Sequence, residues 1–157
     1  PKKPVVMSWS SGMEELIQLD PAMRSNLIVG TNYYSSIDTP ENKAFVKAYK
    51  KKTNGIPPGY APGAGYGLMK MILLGMEKSG STDPKEVIKT LEGMKGKAFF
   101  GDFEINPNNH QTVRPFFVLK TKPESEMKNK YDFADIVAVS STEQPKNMNM
   151  CKNIGSF

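Results

Sequence analysis

Residues 57–91, PPGYAPGAGYGLMKMILLGMEKSGSTDPKEVIKTL, decide how this chain folds. Pro57-Pro58-Gly59-Tyr60 is a rigid linker, and the glycine- and methionine-rich stretch after it predicts the longest helix, about Pro62 to Lys78. Apolar residues occupy most of that helix's circumference, which predicts the most buried element of the fold. Ser79-Gly80-Ser81-Thr82 is a loop, and Asp83-Pro84-Lys85-Glu86 is a helix start. It combines an N-cap, a proline at the first helical position and a glutamate three residues on. The helix that follows turns Val87, Ile88 and Leu91 inward and ends at Gly93.

Upstream, Thr39-Pro40-Glu41 repeats the same start chemistry and opens a helix that Asn54-Gly55 closes. Phe45, Ala48 and Tyr49 fall on its inner face. Before it, Lys3 to Met7 and Leu27 to Thr31 read as strands. Between them lie the polar loop Ser8-Trp9-Ser10-Ser11-Gly12 and a weak helix from Met13 to about Leu19 that Asp20-Pro21 stops. Tyr33 to Asp38 is an irregular crossing segment. Downstream the period changes to two: Ala98 to Ile105 and Pro115 to Lys120 read as strands around the turn Asn106 to Gln111, with a last short strand at Ile136 to Val139. The tail, residues 140–157, is polar and methionine-dotted and reads as extended. Strand, helix and strand in quick succession make this a layered α/β chain.

Composition narrows the function. The formal net charge is +5, but of 21 basic residues only Arg24 and Arg114 are arginines, and the lysines are spread from Lys2 to Lys152. Lys50-Lys51-Lys52 sits at a helix end, where cations complement the dipole. This is a solvated surface, not a nucleic-acid face. No apolar run approaches the roughly 20 residues that span a bilayer. A lone Cys151 makes no internal disulfide, and with His110 the only histidine there is no zinc ligand set. His110 reads as a surface turn residue, and Glu14-Glu15 and Glu124 with Glu126 as exposed acids. No nucleophile elbow, phosphate loop or metal cluster is present, so neither an enzyme nor a cofactor is expected.

The order Gly65-Tyr66-Gly67-Leu68, Gly75 to Pro84, Val87 to Leu91, then Gly101-Asp102-Phe103-Glu104-Ile105-Asn106, His110-Gln111 and Phe116-Phe117-Val118-Leu119 resembles the carboxyl-terminal part of periplasmic solute-binding proteins of the branched-chain amino-acid type. The likeness covers most of residues 5–120 and lies in the order and spacing of elements. It implies an α/β fold built from portions of two lobes of the type I periplasmic-binding-protein fold, a fragment of a considerably longer protein. Residues 1–32 and 115–157 would belong to the second lobe and 33–112 to the first, with crossings near Asn32-Tyr33 and Val113-Pro115.

The resemblance further implies a carrier that closes on a small carboxylate, a branched-chain amino acid or an aromatic acid, and delivers it to an ABC transporter permease. Its place would be the periplasm, or the outer side of the cell membrane as a tethered lipoprotein. Partners would be the small-molecule ligand, the permease and the remainder of its own polypeptide, with no nucleic acid. The family places ligand contacts in the loop of Trp9, Ser10 and Ser11, whose indole and hydroxyls suit a small polar ligand; Tyr60, just before the long helix, matches an aromatic contact. Amino-acid binders typically carry an acid near the position of Ser10, and its absence keeps a ligand without an amino group in view. A ligand sensor on the same fold, and less so an α/β enzyme, are the rival readings.

Overall fold

Three dipeptides organise the helices: Asp20-Pro21, Thr39-Pro40 and Asp83-Pro84. In this computed structural model, which describes the backbone of residues 5–7 and all of residues 12–143, each acid or hydroxyl is an N-cap in extended conformation. Each proline is the first helical residue. Proline pushes its predecessor out of the helical region, which is what a capping residue needs. Asp20 accepts from the Ala22 N–H, Thr39 from Asn42 and Asp83 from Lys85 and Glu86. The preceding helix ends at Leu16, short of the expected Leu19, so Asp20-Pro21 does not stop it but starts a short helix of its own.

In chain order the elements are β1 (Val5–Met7), α1 (Met13–Leu16), α2 (Pro21–Arg24), β2 (Leu27–Thr31), α3 (Pro40–Lys52), α4 (Tyr60–Ser79), α5 (Pro84–Leu91), β3 (Lys95–Ala98), β4 (Gly101–Ile105), β5 (Thr112–Val113), β6 (Pro115–Thr121) and β7 (Ala134–Ser141). They form two sheets. One has the order β1-β2-β6-β7, with β1 parallel to β2 and the other pairs antiparallel; the second has the order β3-β4-β5 and is antiparallel. The chain leaves the first sheet after Thr31 and returns to it at Pro115. The buried residues of both sheets form one contiguous core, with Leu27, Val29 and Leu119 on one side and Phe99, Phe103 and Ile105 on the other.

The first crossing is anchored by Tyr33, while the neighbouring Tyr34 hydroxyl is buried without a hydrogen-bond partner among the described residues. Tyr33 turns toward α3 and α4, where its hydroxyl donates to Asn42 Oδ1 at 2.8 Å and its ring lies against Phe45 and Phe99. Tyr34, one residue on, lies beside the backbone amides of Ala134 and Phe133 at the start of β7. Burial pushes both phenols well above their ordinary pKa. Asn42 is fully buried and also donates to the carbonyls of Ser35 and Ile37, so it ties the crossing segment to α3. The return crossing is pinned by Thr142, whose hydroxyl accepts from the Arg114 N–H at 2.9 Å and donates to the Thr112 carbonyl at 3.1 Å.

Two expectations need correction. Ala98 to Ile105 is not one strand but a hairpin: Ala98 pairs with Gly101, and Phe99-Phe100 form its two-residue loop. Both phenylalanines have strong strand propensity, yet both are buried against Tyr66, Tyr33 and Phe103. Burial outweighs local preference here, and Gly101 takes the positive φ of 115° that the turn requires. Nor is α4 the most buried element. Its buried residues are Gly63, Gly67 and Gly75, while Leu68, Met69 and Leu73 are exposed. The last strand runs from Ala134 to Ser141, beyond the predicted Ile136 to Val139, so residues 140–141 belong to it; residues 144–157 lie outside the described part.

The glycine face of α4 explains its position. A Cβ on Gly63 would meet the Tyr33 ring at 2.6 Å, and one on Gly67 would meet Phe99 at 2.9 Å. Gly65, on the other side, faces open space. Gly63→Ala is therefore expected to destabilise by about 1–3 kcal/mol through overpacking, while Gly65→Ala stabilises by up to about 1 kcal/mol through helix propensity. Urea denaturation of the two variants checks this; equal effects would contradict it.

An ion cluster around the buried Lys122 closes the β6–β7 connection. The Lys122 ammonium lies 3.0 Å from Asp132 and 2.7 Å from Asp135. Burial works to raise the Asp132 carboxyl, but the Lys128 backbone N–H and Lys122 outweigh it and hold its pKa below the ordinary value. A carboxyl lowered on folding contributes stability above its unfolded pKa of about 3.9 and loses it as pH falls through the folded value. Asp132→Asn should thus flatten the acid side of a stability-versus-pH curve, measured by urea melts between pH 2 and pH 6.

Candidate functional site

Because β1 and β2 are parallel, Met7 and Thr31 end at the same edge of the sheet, the side where ligands bind in open α/β sheets. Three segments meet there. Gly12, buried at the exit of the loop that follows β1, is one; Thr31, fully buried, is another; the start of α4 is the third. A Cβ on Gly12 would lie 3.5 Å from the Glu14 carboxylate, 3.7 Å from the Tyr60 ring and 3.8 Å from the Thr31 hydroxyl. Tyr60, a predicted site residue, is half-buried and is the first residue of α4. It is thus carried to the end of the very loop that holds the other three. Trp9, Ser10 and Ser11 themselves lie outside the described residues.

Sequence reasoning passed over Glu14. It read Glu14 and Glu15 as exposed acids, but both are half-buried and both are engaged. Glu15 accepts from the Gly12 N–H at 2.6 Å and so fixes the loop's exit to α1. Glu14 reaches a different element, 46 residues away: its Oε2 accepts from the Tyr60 N–H at 3.3 Å. Gly59, the N-cap of α4, has no side chain to cap the helix, and Glu14 fills that role from across the fold. The second carboxylate oxygen, Oε1, is buried without a hydrogen-bond partner among the described residues. The signal that would have found this contact is Gly59 itself, since a Cβ there would overlap the Glu14 carboxylate.

Charge and geometry favour the arrangement. A carboxylate at the start of a 20-residue helix meets free N–H groups and the positive end of its dipole. The crossing tyrosines, Tyr33 and Tyr34, are buried packing residues in the structure. His110, predicted at a surface turn, does occupy one at φ 54°, but its Nε2 sits 2.9 Å from Glu92 Oε1, tying that turn to the end of α5. Among the described residues no group of three His, Cys, Asp or Glu side chains could hold a metal, and no helix is long and apolar enough to cross a membrane.

With this geometry in view, residues 1–128 match the family model described as periplasmic binding protein. An amino acid ABC transporter substrate-binding protein from Pseudomonas fluorescens Pf-5 superposes with a TM-score of 0.87 at 27% identity, over 95% of this chain and 40% of that one. A solute-binding protein of an ABC transporter from Rhodopseudomonas palustris BisB5, solved with 3,4-dihydroxybenzoic acid, has TM-score 0.71 and 22% identity over 87% of this chain and 36% of that one. A leucine-, isoleucine-, valine-, threonine- and alanine-binding protein from Brucella ovis in the closed conformation has TM-score 0.61 and 19% identity, over 76% and 32%. The chain therefore spans about two fifths of the first of these and less of the others. No curated protein matches.

Glu14 and Gly59 should be energetically coupled. Gly59→Ala is expected to destabilise the native protein, because its methyl displaces the Glu14 carboxylate. In a Glu14→Ala background, which itself costs about 0.5–2 kcal/mol as a lost helix cap, the same change should cost far less. A double-mutant cycle by chemical denaturation measures this; additive effects would exclude the contact.

Proposed function

Since the chain belongs to the periplasmic binding protein family, we propose that it is part of the extracytoplasmic solute-binding component of an ABC importer, which encloses a small carboxylate such as a branched-chain amino acid or an aromatic acid. The observation that carries the reading is the meeting of three separate segments at one sheet edge: Gly12 with Glu14 on α1, Thr31, and the Gly59-Tyr60 start of α4. Such convergence of polar groups and an aromatic ring suits recognition of a small ligand. In this reading Trp9, Ser10, Ser11 and Tyr60 contact the ligand, and no bond is made or broken.

Residues 1–32 and 115–157 form part of one lobe and 33–112 part of the other, joined at Asn32-Tyr33 and Val113-Pro115. The chain's departure from the four-stranded sheet after Thr31 and its return at Pro115 support this division. Ligand binding then works by hinge closure, and the closed form is what a permease recognises. The remainder of the polypeptide supplies the rest of the cleft. The protein acts in the periplasm or on the outer side of the cell membrane.

Two ligand classes are in play. The neighbour solved with 3,4-dihydroxybenzoic acid supports an aromatic acid. Glu14 supports an amino acid: its carboxylate already occupies the start of α4, so a ligand carboxylate is repelled from that spot and an ammonium is attracted. Thermal-shift titration of the polypeptide as its gene encodes it, with leucine and with 4-hydroxybenzoate, tests the reading. A true ligand at about one hundred times its dissociation constant adds about 2.7 kcal/mol of stability. Glu14→Gln should weaken leucine at least about tenfold, or about 1.4 kcal/mol, and leave 4-hydroxybenzoate nearly unchanged. Turnover of a candidate solute would overturn the carrier reading in favour of an enzyme, and a fused signalling domain would favour a sensor.

A further inference from the structure

Glu14 and Tyr60 stand on opposite sides of the crossings. Glu14 belongs to α1, ahead of Thr31, where the chain leaves the four-stranded sheet; Gly59 and Tyr60 open α4, inside the segment between the two crossings. The bond from the Tyr60 N–H to Glu14 Oε2, at 3.3 Å, thus joins two parts of the molecule that the backbone connects only at a distance of 46 residues. Around this bond the seam is bare. Gly12 on one side and Gly59 on the other have no side chains, and the Glu14 carboxylate and the Tyr60 ring occupy the space beside them.

We propose that Glu14 is a latch between the two lobes, which keeps the closed form partly populated before any solute arrives. The proposal rests on the division into lobes given above and not on the identity of the ligand. Three observations carry it. Acceptor and donor come from different lobes, so the bond exists only while the lobes are together. Gly59 supplies no cap and Pro62 has no N–H, so Tyr60 and Ala61 hold the free amides of the first turn that a carboxylate from the other lobe satisfies. Glu14 Oε1 is buried without a hydrogen-bond partner among the described residues. A half-satisfied buried carboxylate costs free energy that a hydrated one does not, so the closed form is poised rather than locked. The consequence is affinity that does not depend on the charge of the solute. A carrier that binds only when closed has an apparent dissociation constant equal to the intrinsic one divided by the closed fraction. Raising that fraction tightens binding of every solute the cleft admits, which makes Glu14 a positioning residue.

The test reads the separation of the lobes directly. In a Cys151→Ser background of the polypeptide as its gene encodes it, Lys51→Cys on α3 and Ser125→Cys in the β6–β7 connection, both exposed, each receive a nitroxide. Pulsed electron paramagnetic resonance then gives the distribution of distances between them. The expected result without ligand is two populations, one at the separation of this structure and one open. The closed-to-open ratio should fall by about 2- to 30-fold in Glu14→Ala, the factor that loss of a helix cap produces. Glu14→Gln should keep most of it, because the amide oxygen still accepts from the Tyr60 N–H. Gly59→Ala displaces the carboxylate from the other lobe and should shift the ratio the same way, so the result does not hang on one variant. A ratio that neither alanine variant changes overturns the latch, as does a ligand-free protein with only the open separation. Saturating leucine or 4-hydroxybenzoate distinguishes the two readings. If a solute gathers the distribution at the closed separation while the alanine variants have no effect, only the latch falls. If neither solute moves it while the alanine variants do, the latch stands and the ligand reading falls.

Discussion

Tyr33 packed against Gly63 is the contact on which the rest of this fold depends. The ring needs the missing side chain of Gly63 to lie as close as it does, and it draws α4 onto the crossing segment. Its hydroxyl meets the buried Asn42, which in turn holds the carbonyls of Ser35 and Ile37. Around the ring, Phe45 stacks on Tyr66 at 4.2 Å and Phe99 fills the remaining side. Apolar burial drives these rings together, and the Asn42 hydrogen bonds give them one arrangement, because an unsatisfied buried amide would be costly.

From that contact follows the position of the candidate site. Once α4 is seated by its glycines, its first residue, Tyr60, arrives beside Gly12 and Thr31. Glu14 then finds the uncapped N–H groups of a helix 46 residues further along the chain. The acid that the loop of Trp9, Ser10 and Ser11 lacks is thus present one turn later, delivered by α1. A carboxylate in that spot caps a helix whose own N-cap, Gly59, has no side chain to do so.

The two crossings are held by different chemistry. The first relies on the buried Tyr33, whose hydroxyl meets Asn42; the second relies on the Thr142 hydroxyl bridging Thr112 and Arg114, with the Arg114 guanidinium 4.9 Å from the Phe100 ring centroid.

Helix starts were legible in the chain itself: Thr39-Pro40 and Asp83-Pro84 form caps through bonds to residues two or three positions away, so neighbouring residues suffice to determine them. The strands Leu27 to Thr31 and Pro115 to Lys120 were legible as short apolar runs of strand length. The turn at Phe99-Phe100, the partner of Glu14 and the uncovered side of α4 were not. Each depends on what a residue meets from a distant part of the chain: aromatic neighbours for the phenylalanines, a helix 46 residues away for the acid, and the absence of a covering layer among the described residues for Leu68, Met69 and Leu73. Local sequence determined where elements begin and what they are made of. Tertiary structure alone decided which faces are buried, because burial is a property of two surfaces and a sequence window contains only one of them.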